Sequence, residues 1–159
     1  MTQLNLVAAA TEEVREIASV LRKATLSSYL GKVSELTVAA RLVELGLDVF
    51  LPVRGDSEID LIAMNAFGRA VRIQVKRVGE DAKRTRFKLR LRRSTKTGAK
   101  VGRHVRKIPY TKIDIFVAMN AKGESWVIPW KRVANQSQLW LYPGGPWQEA
   151  WQEVTEMAP

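Results

Sequence analysis

Apolar positions along this chain change their period as the chain proceeds, from helical spacing to alternation. Val14, Ile17, Ala18 and Leu21 recur at helical spacing, which predicts a helix from Thr11 to about Ser27. Glu12 and Glu13 in its first turn and Arg22 and Lys23 near its end suit the helix dipole. A second helix is expected from about Lys32 to Leu45, with Val33, Leu36, Ala39, Ala40, Val43 and Leu45 as its apolar set and Gly46 as its C-cap. Leu47 to Val53 reads as a strand stopped by Arg54-Gly55-Asp56. The runs Leu61-Ile62-Ala63-Met64 and Val71-Arg72-Ile73-Gln74-Val75-Lys76, joined by Asn65-Ala66-Phe67-Gly68, predict a hairpin. Phe87, Leu89 and Leu91 alternate with Arg86, Lys88, Arg90 and Arg92, as in a strand with an apolar face inward and a basic face outward. Ser94 to Arg103 is a loop by composition. Further strands are expected from Tyr110 to Met119, through Ile113, Ile115 and Val117, and from Ser125 to Pro129. Pro146 to Val154 reads as a last helix that places Trp147 and Trp151 on one face, in the core or at a subunit interface.

Composition narrows the class. The 159 residues suffice for one domain with a core, and the hydrophobic content of 46% fits a globular chain. No linker or repeat divides it. An extra helical segment precedes about residue 28, and a segment holding Trp130, Trp140, Trp147 and Trp151 follows about residue 129. Cysteine is absent, which excludes disulfides and thiolate metal sites and is compatible with a cytoplasmic location. No apolar run approaches the roughly 20 residues of a membrane span, and the first residues lack the basic start of a secretory signal.

Charge points to the partner. The formal net charge is +10, and no acidic residue lies between Lys83 and Lys107, where about a dozen Lys and Arg do. A polyanion is the expected partner. The candidate contacts are Arg84, Arg86, Lys88, Arg90, Arg92, Arg93, Lys96, Lys100, Arg103 and Arg106. This charge belongs to a strand and loop, not to an amphipathic helix, which argues against a membrane surface. His104, the only histidine, reads as a phosphate contact or an exposed residue.

The candidate chemistry lies in the hairpin. Gln74 and Lys76 share a strand face, and Asp60 opens the paired strand. An acid, an amide oxygen and a lysine on paired strands are the parts of a metal-assisted phosphodiester cleaver. Glu35, in the first turn of the second helix, joins them. Asp56 and Glu58 flank Asp60, and Glu58 shares its parity and is the better placed helper.

The segments Gly31-Lys32-Val33-Ser34-Glu35-Leu36, Ile59-Asp60-Leu61-Ile62 and Ile73-Gln74-Val75-Lys76-Arg77 resemble the PD-(D/E)XK nuclease superfamily. With Gln in place of the usual acid, they resemble the small homing endonucleases of group I introns in cyanobacteria and their bacterial relatives. The resemblance covers roughly Gly31 to Pro129, and Tyr110 and Asp114 are similar to a later Tyr-x-x-x-Asp strand of that group. It implies an α/β fold with a restriction-endonuclease-like core: a mixed central sheet flanked by helices, with a projecting basic β-ribbon. It also implies that Asp60, Gln74 through its amide oxygen, the Val75 carbonyl and Glu35 hold Mg²⁺, with Mn²⁺ as a substitute, and that Lys76 stabilises charge on the phosphate. The implied partner is double-stranded DNA, cut at specific sites by a homo-oligomer, a dimer or tetramer. Asp114 is expected to make a structural ion pair or hydrogen bond. A junction-resolvase-like nuclease, an inactive DNA-binding module on a nuclease scaffold and an RNA-binding protein remain alternatives.

Overall fold

The structure is a computed structural model that describes residues 26–53, 57–79, 85–96 and 105–157, with 93–96, 105–108 and 157 described by backbone alone. The chain divides into two compact units, Met1–Val33 and Ser34–Pro159. Of the first, the described residues 26–33 are helical. The rest of the expected N-terminal helix lies outside the described residues.

The helix expected from Lys32 already runs at residue 26 and continues to residue 44 (α1). Gly31 lies inside it, because one interior glycine costs only about 1 kcal/mol relative to alanine. Its end is set by Gly46 at φ +80°: Leu47 N–H donates to the Leu42 carbonyl and Gly46 N–H to the Val43 carbonyl, at 3.2 and 2.9 Å. The buried face is Ser34, Val38 and Leu42, one helical row. Val33, Leu36 and Val43, expected in the apolar set, are exposed. The helix carries apolar residues on two sides, and the sheet covers one.

Five strands form the main sheet in the order β1 (Asp48–Phe50), β2 (Leu61–Met64), β3 (Ala70–Arg77), β7 (Ile115–Met119), β8 (Ser125–Pro129). β3 and β7 are parallel and every other pair is antiparallel, so the sheet is mixed. The expected β2–β3 hairpin forms. Asn65 Oδ1 accepts from the Phe67 and Arg69 amides, and Gly68 takes φ +77° to close the turn. β4 (Phe87–Arg90) pairs with β9 (Gln138–Leu141), a strand absent from the sequence reading. β5 (Arg92–Lys96) pairs with β6 (Val105–Pro109) across part of the stretch expected to be a loop. Composition marked that stretch as a loop, yet strand pairing needs backbone groups more than apolar side chains. Residues 97–104 lie outside the described residues.

Strand alternation sorts the main sheet into two cores. Leu61, Ala63, Val71, Ile73, Val75, Ile115, Val117, Met119 and Val127 pack with Val38 and Leu42 of α1 and with Trp151 and Val154. Phe116, Ala118, Trp126 and Ile128 pack on the opposite side with Phe87, Leu89, Leu91, Tyr110 and Leu141. α2 (Trp130–Val133) adds Val133 to that second core. The last helix, α3 (Gln152–Met157), starts later than Pro146. Trp147 and Trp151 therefore do not share a helix face: they join opposite cores. The cause is Glu149, at φ 51°, whose carboxylate accepts from the Ser125 amide and the Trp151 indole and ties an irregular segment to β8.

Candidate active site and nucleic-acid face

Pairing places the chemistry. The register sets Leu61 opposite Ile73, and the Asp60 amide extends the ladder by donating to the Ile73 carbonyl at 2.9 Å. Asp60 and Gln74 thus come side by side at the mouth of the hairpin. Asp60 Oδ2 accepts from the Val75 amide at 2.8 Å and from Gln74 Nε2. The same Gln74 nitrogen donates to the Val75 carbonyl at 3.2 Å. A carboxylate oxygen, a main-chain carbonyl and an amide group therefore converge, with a polarised NH₂ group lying between the two oxygens. Gln74 is buried, which makes these bonds the means by which its polar head is accommodated.

Lys76 shares the Gln74 side of β3 by alternation. Its Nζ stands 5.5 Å from the centroid of the Tyr110 ring, a cation–π contact. Tyr110 is buried and meets Phe116 edge-on at 5.0 Å. The segment after it is clamped by Glu58, whose Oε2 accepts from the Thr111 and Lys112 amides at 3.0 and 3.1 Å and from the Thr111 hydroxyl at 3.4 Å. Glu58, expected to help Asp60 with a metal, instead spends that oxygen on the turn that carries Tyr110. The segment between residues 57 and 60 is not a regular strand, so parity did not govern where Glu58 points. Asp56 lies outside the described residues. Glu35 is half-buried on α1, beside the core residues Ser34 and Val38.

Asp114 makes the expected ion pair. Its Oδ1 accepts from Arg72 Nη2 at 2.7 Å, and its Oδ2 accepts from Arg72 Nε and the Arg72 amide, both at 2.9 Å. The side-chain hydrogen bond from Arg72 holds the Asp114 carboxyl below its ordinary range, against an opposing push from partial burial. The same bond raises the Arg72 pKa. This fork pins β3 to the start of β7 two residues before Gln74.

The expected basic strand exists. Phe87, Leu89 and Leu91 are buried, while Arg86, Lys88 and Arg90 are exposed. A cavity of about 580 Å³ is lined by Lys76, Arg77, Lys88, Arg90 and Arg92 together with Tyr110, and by no acid among the described residues. Lys76 and the basic strand thus share one opening. Arg93, Lys96 and Arg106 lie on β5 and β6 by backbone, and Arg84, Lys100, Arg103 and His104 lie outside the described residues. Sequence reading missed Trp140, on which Arg86 stacks at 4.1 Å. The alternation of Gln138-Leu139-Trp140-Leu141 was the available signal.

A family model for the PD-(D/E)XK endonuclease matches residues 26–141, which includes the Asp60–Gln74–Lys76 hairpin and Glu35. The chain belongs to the PD-(D/E)XK endonuclease family. Its fold is similar to that of a bacterial homing endonuclease, I-Ssp6803I, with a TM-score of 0.69 at 19% identity, over 83% of this chain and 93% of that one. No curated protein matches the chain in sequence. As a PD-(D/E)XK endonuclease it is a phosphodiester hydrolase acting on DNA. No described helix is long and apolar enough to cross a membrane.

Proposed function

We propose that this endonuclease is Mg²⁺-dependent and cuts both strands of DNA at specific sites as a homo-oligomer. The observation that carries the reading is the convergence of the Asp60 carboxylate, the Gln74 amide and the Val75 carbonyl, with Lys76 on the same strand face. The donor set fits a hard cation, since all three groups can offer oxygen. It fits loosely, because no cluster of three or more His, Cys, Asp or Glu stands among the described residues. Mg²⁺, which retains several waters, suits a site with few protein ligands better than a caged ion does.

In this reading Asp60, Gln74 and the Val75 carbonyl hold the ion, assisted by Glu35, and Mn²⁺ substitutes for it. The bound ion supplies polarisation of the phosphate and a lowered pKa for water. Gln74 would offer the ion its amide oxygen in place of the bonds its Nε2 makes to Asp60 and the Val75 carbonyl. The Val75 amide holds Asp60 Oδ2 in place at 2.8 Å. Lys76, steadied on Tyr110, places its ammonium against the non-bridging oxygens, where charge builds in the transition state. The cations of the adjoining cavity draw the phosphate backbone past it.

A homo-oligomer is part of this reading, since one such site would cut one strand and a twofold pair would cut both. The exposed apolar residues Leu36 and Val43 on α1 support it. A second reading, cleavage of branched DNA, is favoured by the exposed Trp140 among cations. Digestion of branched against linear duplexes separates the two. The primary test is cleavage of supercoiled plasmid with Mg²⁺, then with EDTA, for wild type beside Lys76→Ala. Metal-dependent cutting that vanishes in the variant is expected. Binding without cutting, on a library of sites as well as on the plasmid, reduces the protein to a DNA-binding module.

A further inference from the structure

The outward side of the β4–β9 sheet carries a feature that cleavage does not require. Phe87, Leu89 and Leu141 are buried, so alternation turns Lys88, Arg90 and Trp140 outward. The register sets Lys88 opposite Trp140 and Arg90 opposite Gln138. The Arg86 guanidinium lies 4.1 Å from the Trp140 ring centroid and the Lys88 ammonium 5.5 Å from it. Trp140 is 36% exposed, and Tyr142, two residues on, is 51% exposed. The Trp140 ring therefore stands at the surface against two cations, with Arg90 further along the same strand, and neither β4 nor β9 carries an acid.

Each component has a cost that a particular partner removes. Exposed rings lose the hydrophobic benefit of burial, and neighbouring cations repel. A partner that is both planar and anionic answers both. An apolar protein surface answers only the first and would desolvate three charges. Continuous duplex answers only the second, because its bases are stacked and show only their edges. An unpaired nucleotide answers both, since indole rings and guanidinium planes are surfaces on which free bases stack, and the flanking cations meet phosphates.

Position links this face to the cleavage site. Lys88 and Arg90 also line the cavity that Lys76 borders, so the cations continue from Lys76 to Trp140. We propose that Trp140, flanked by Arg86 and Lys88, is a stacking platform for an unpaired base of the DNA strand whose backbone passes Lys76. The proposal rests on the DNA-cleaving reading and specifies its substrate: DNA with nucleotides out of the stack near the cut.

The test uses the full chain in EDTA, at one fixed salt concentration, with two DNAs of equal length. One is an uninterrupted duplex and the other carries a short single-stranded gap. Trp140→Ala weakens binding to gapped DNA about tenfold, a typical effect of losing one stacked base, and changes duplex binding less than about twofold. Trp140→Phe retains most of the gapped-DNA affinity. Independently of any variant's folding, 5-iodouracil placed in the gap photo-crosslinks wild type at Trp140. Equal losses on both DNAs, or crosslinks that avoid Trp140, overturn the proposal while leaving DNA binding intact. A wild type that binds neither DNA overturns the DNA-cleaving reading itself.

Discussion

The two sides of β3 show how one strand serves two purposes. Val71, Ile73 and Val75 enter an apolar core beneath α1. Arg72, Gln74 and Lys76 lie on the other side, and each is committed to a named polar or π partner: Asp114, Asp60 and Tyr110. The first side stabilises the fold through area removed from water, a non-directional effect. The second depends on direction, because hydrogen bonds and charges are sensitive to placement. A change on the first side should therefore move stability, and one at Gln74 or Lys76 on the second should move chemistry.

The largest expected break is Asp60→Ala, which should lower Mg²⁺-dependent cleavage by more than about a thousandfold. DNA binding should survive. The Val75 amide loses its acceptor, so a drop of about 1–3 kcal/mol in denaturant stability accompanies it. Unfolding in parallel with lost binding would make Asp60 structural. The mirror experiment is Ile73→Ala on the opposite side, expected to cost about 2–5 kcal/mol in stability with unchanged cleavage per folded molecule.

Gln74→Glu sharpens the contrast, because it sets a second carboxylate against Asp60. Without metal, thermal unfolding should show a loss of about 1–2 kcal/mol, and added Mg²⁺ should raise the variant's Tm more than that of wild type. Equal Mg²⁺ responses would remove Gln74 from the metal site. Lys88→Gln with Arg90→Gln probes the basic face alone: the slope of log affinity against log salt should flatten by about 2, with cleavage of saturated DNA retained. An unchanged slope would take that strand out of the interface.

The smallest effect concerns Arg72 and Asp114, a part-exposed pair worth below about 1 kcal/mol. The Asp114 pKa is lowered on folding, so its contribution is present above the ordinary carboxylate value of about 4. It fades as pH falls through the lowered folded value. Arg72 is raised and keeps its charge across that range. Acid unfolding of Asp114→Asn should therefore depend less steeply on pH than that of wild type below about pH 4. Identical profiles would show that the fork contributes nothing.

Legibility followed the range of the interactions. The β2–β3 hairpin, β8 and the inward face of β4 were readable, because alternation and turn chemistry act between near neighbours. Asp60 and Gln74 were readable as partners for the same reason, since a hairpin carries its pairing in its own length. Glu58 was not: its bonds are to Thr111 and Lys112, more than fifty residues on, and nothing in residues 57–60 announces them. Trp147 and Trp151 went to opposite cores because Glu149 bonds to Ser125 on a distant strand. β9 and its Trp140 acquired meaning only when pairing set them against the basic strand.

The amino-acid sequence by itself determined the hairpin, the residue types of the candidate site, the polyanion-directed charge and the endonuclease family. Tertiary structure alone decided which face of α1 is buried, which acid clamps the turn that carries Tyr110, and which tryptophan meets the cations. The reason is physical. Periodicity and turn preferences are encoded in a few adjacent residues, whereas burial and hydrogen-bond partners across the fold depend on which surfaces the sheet brings together.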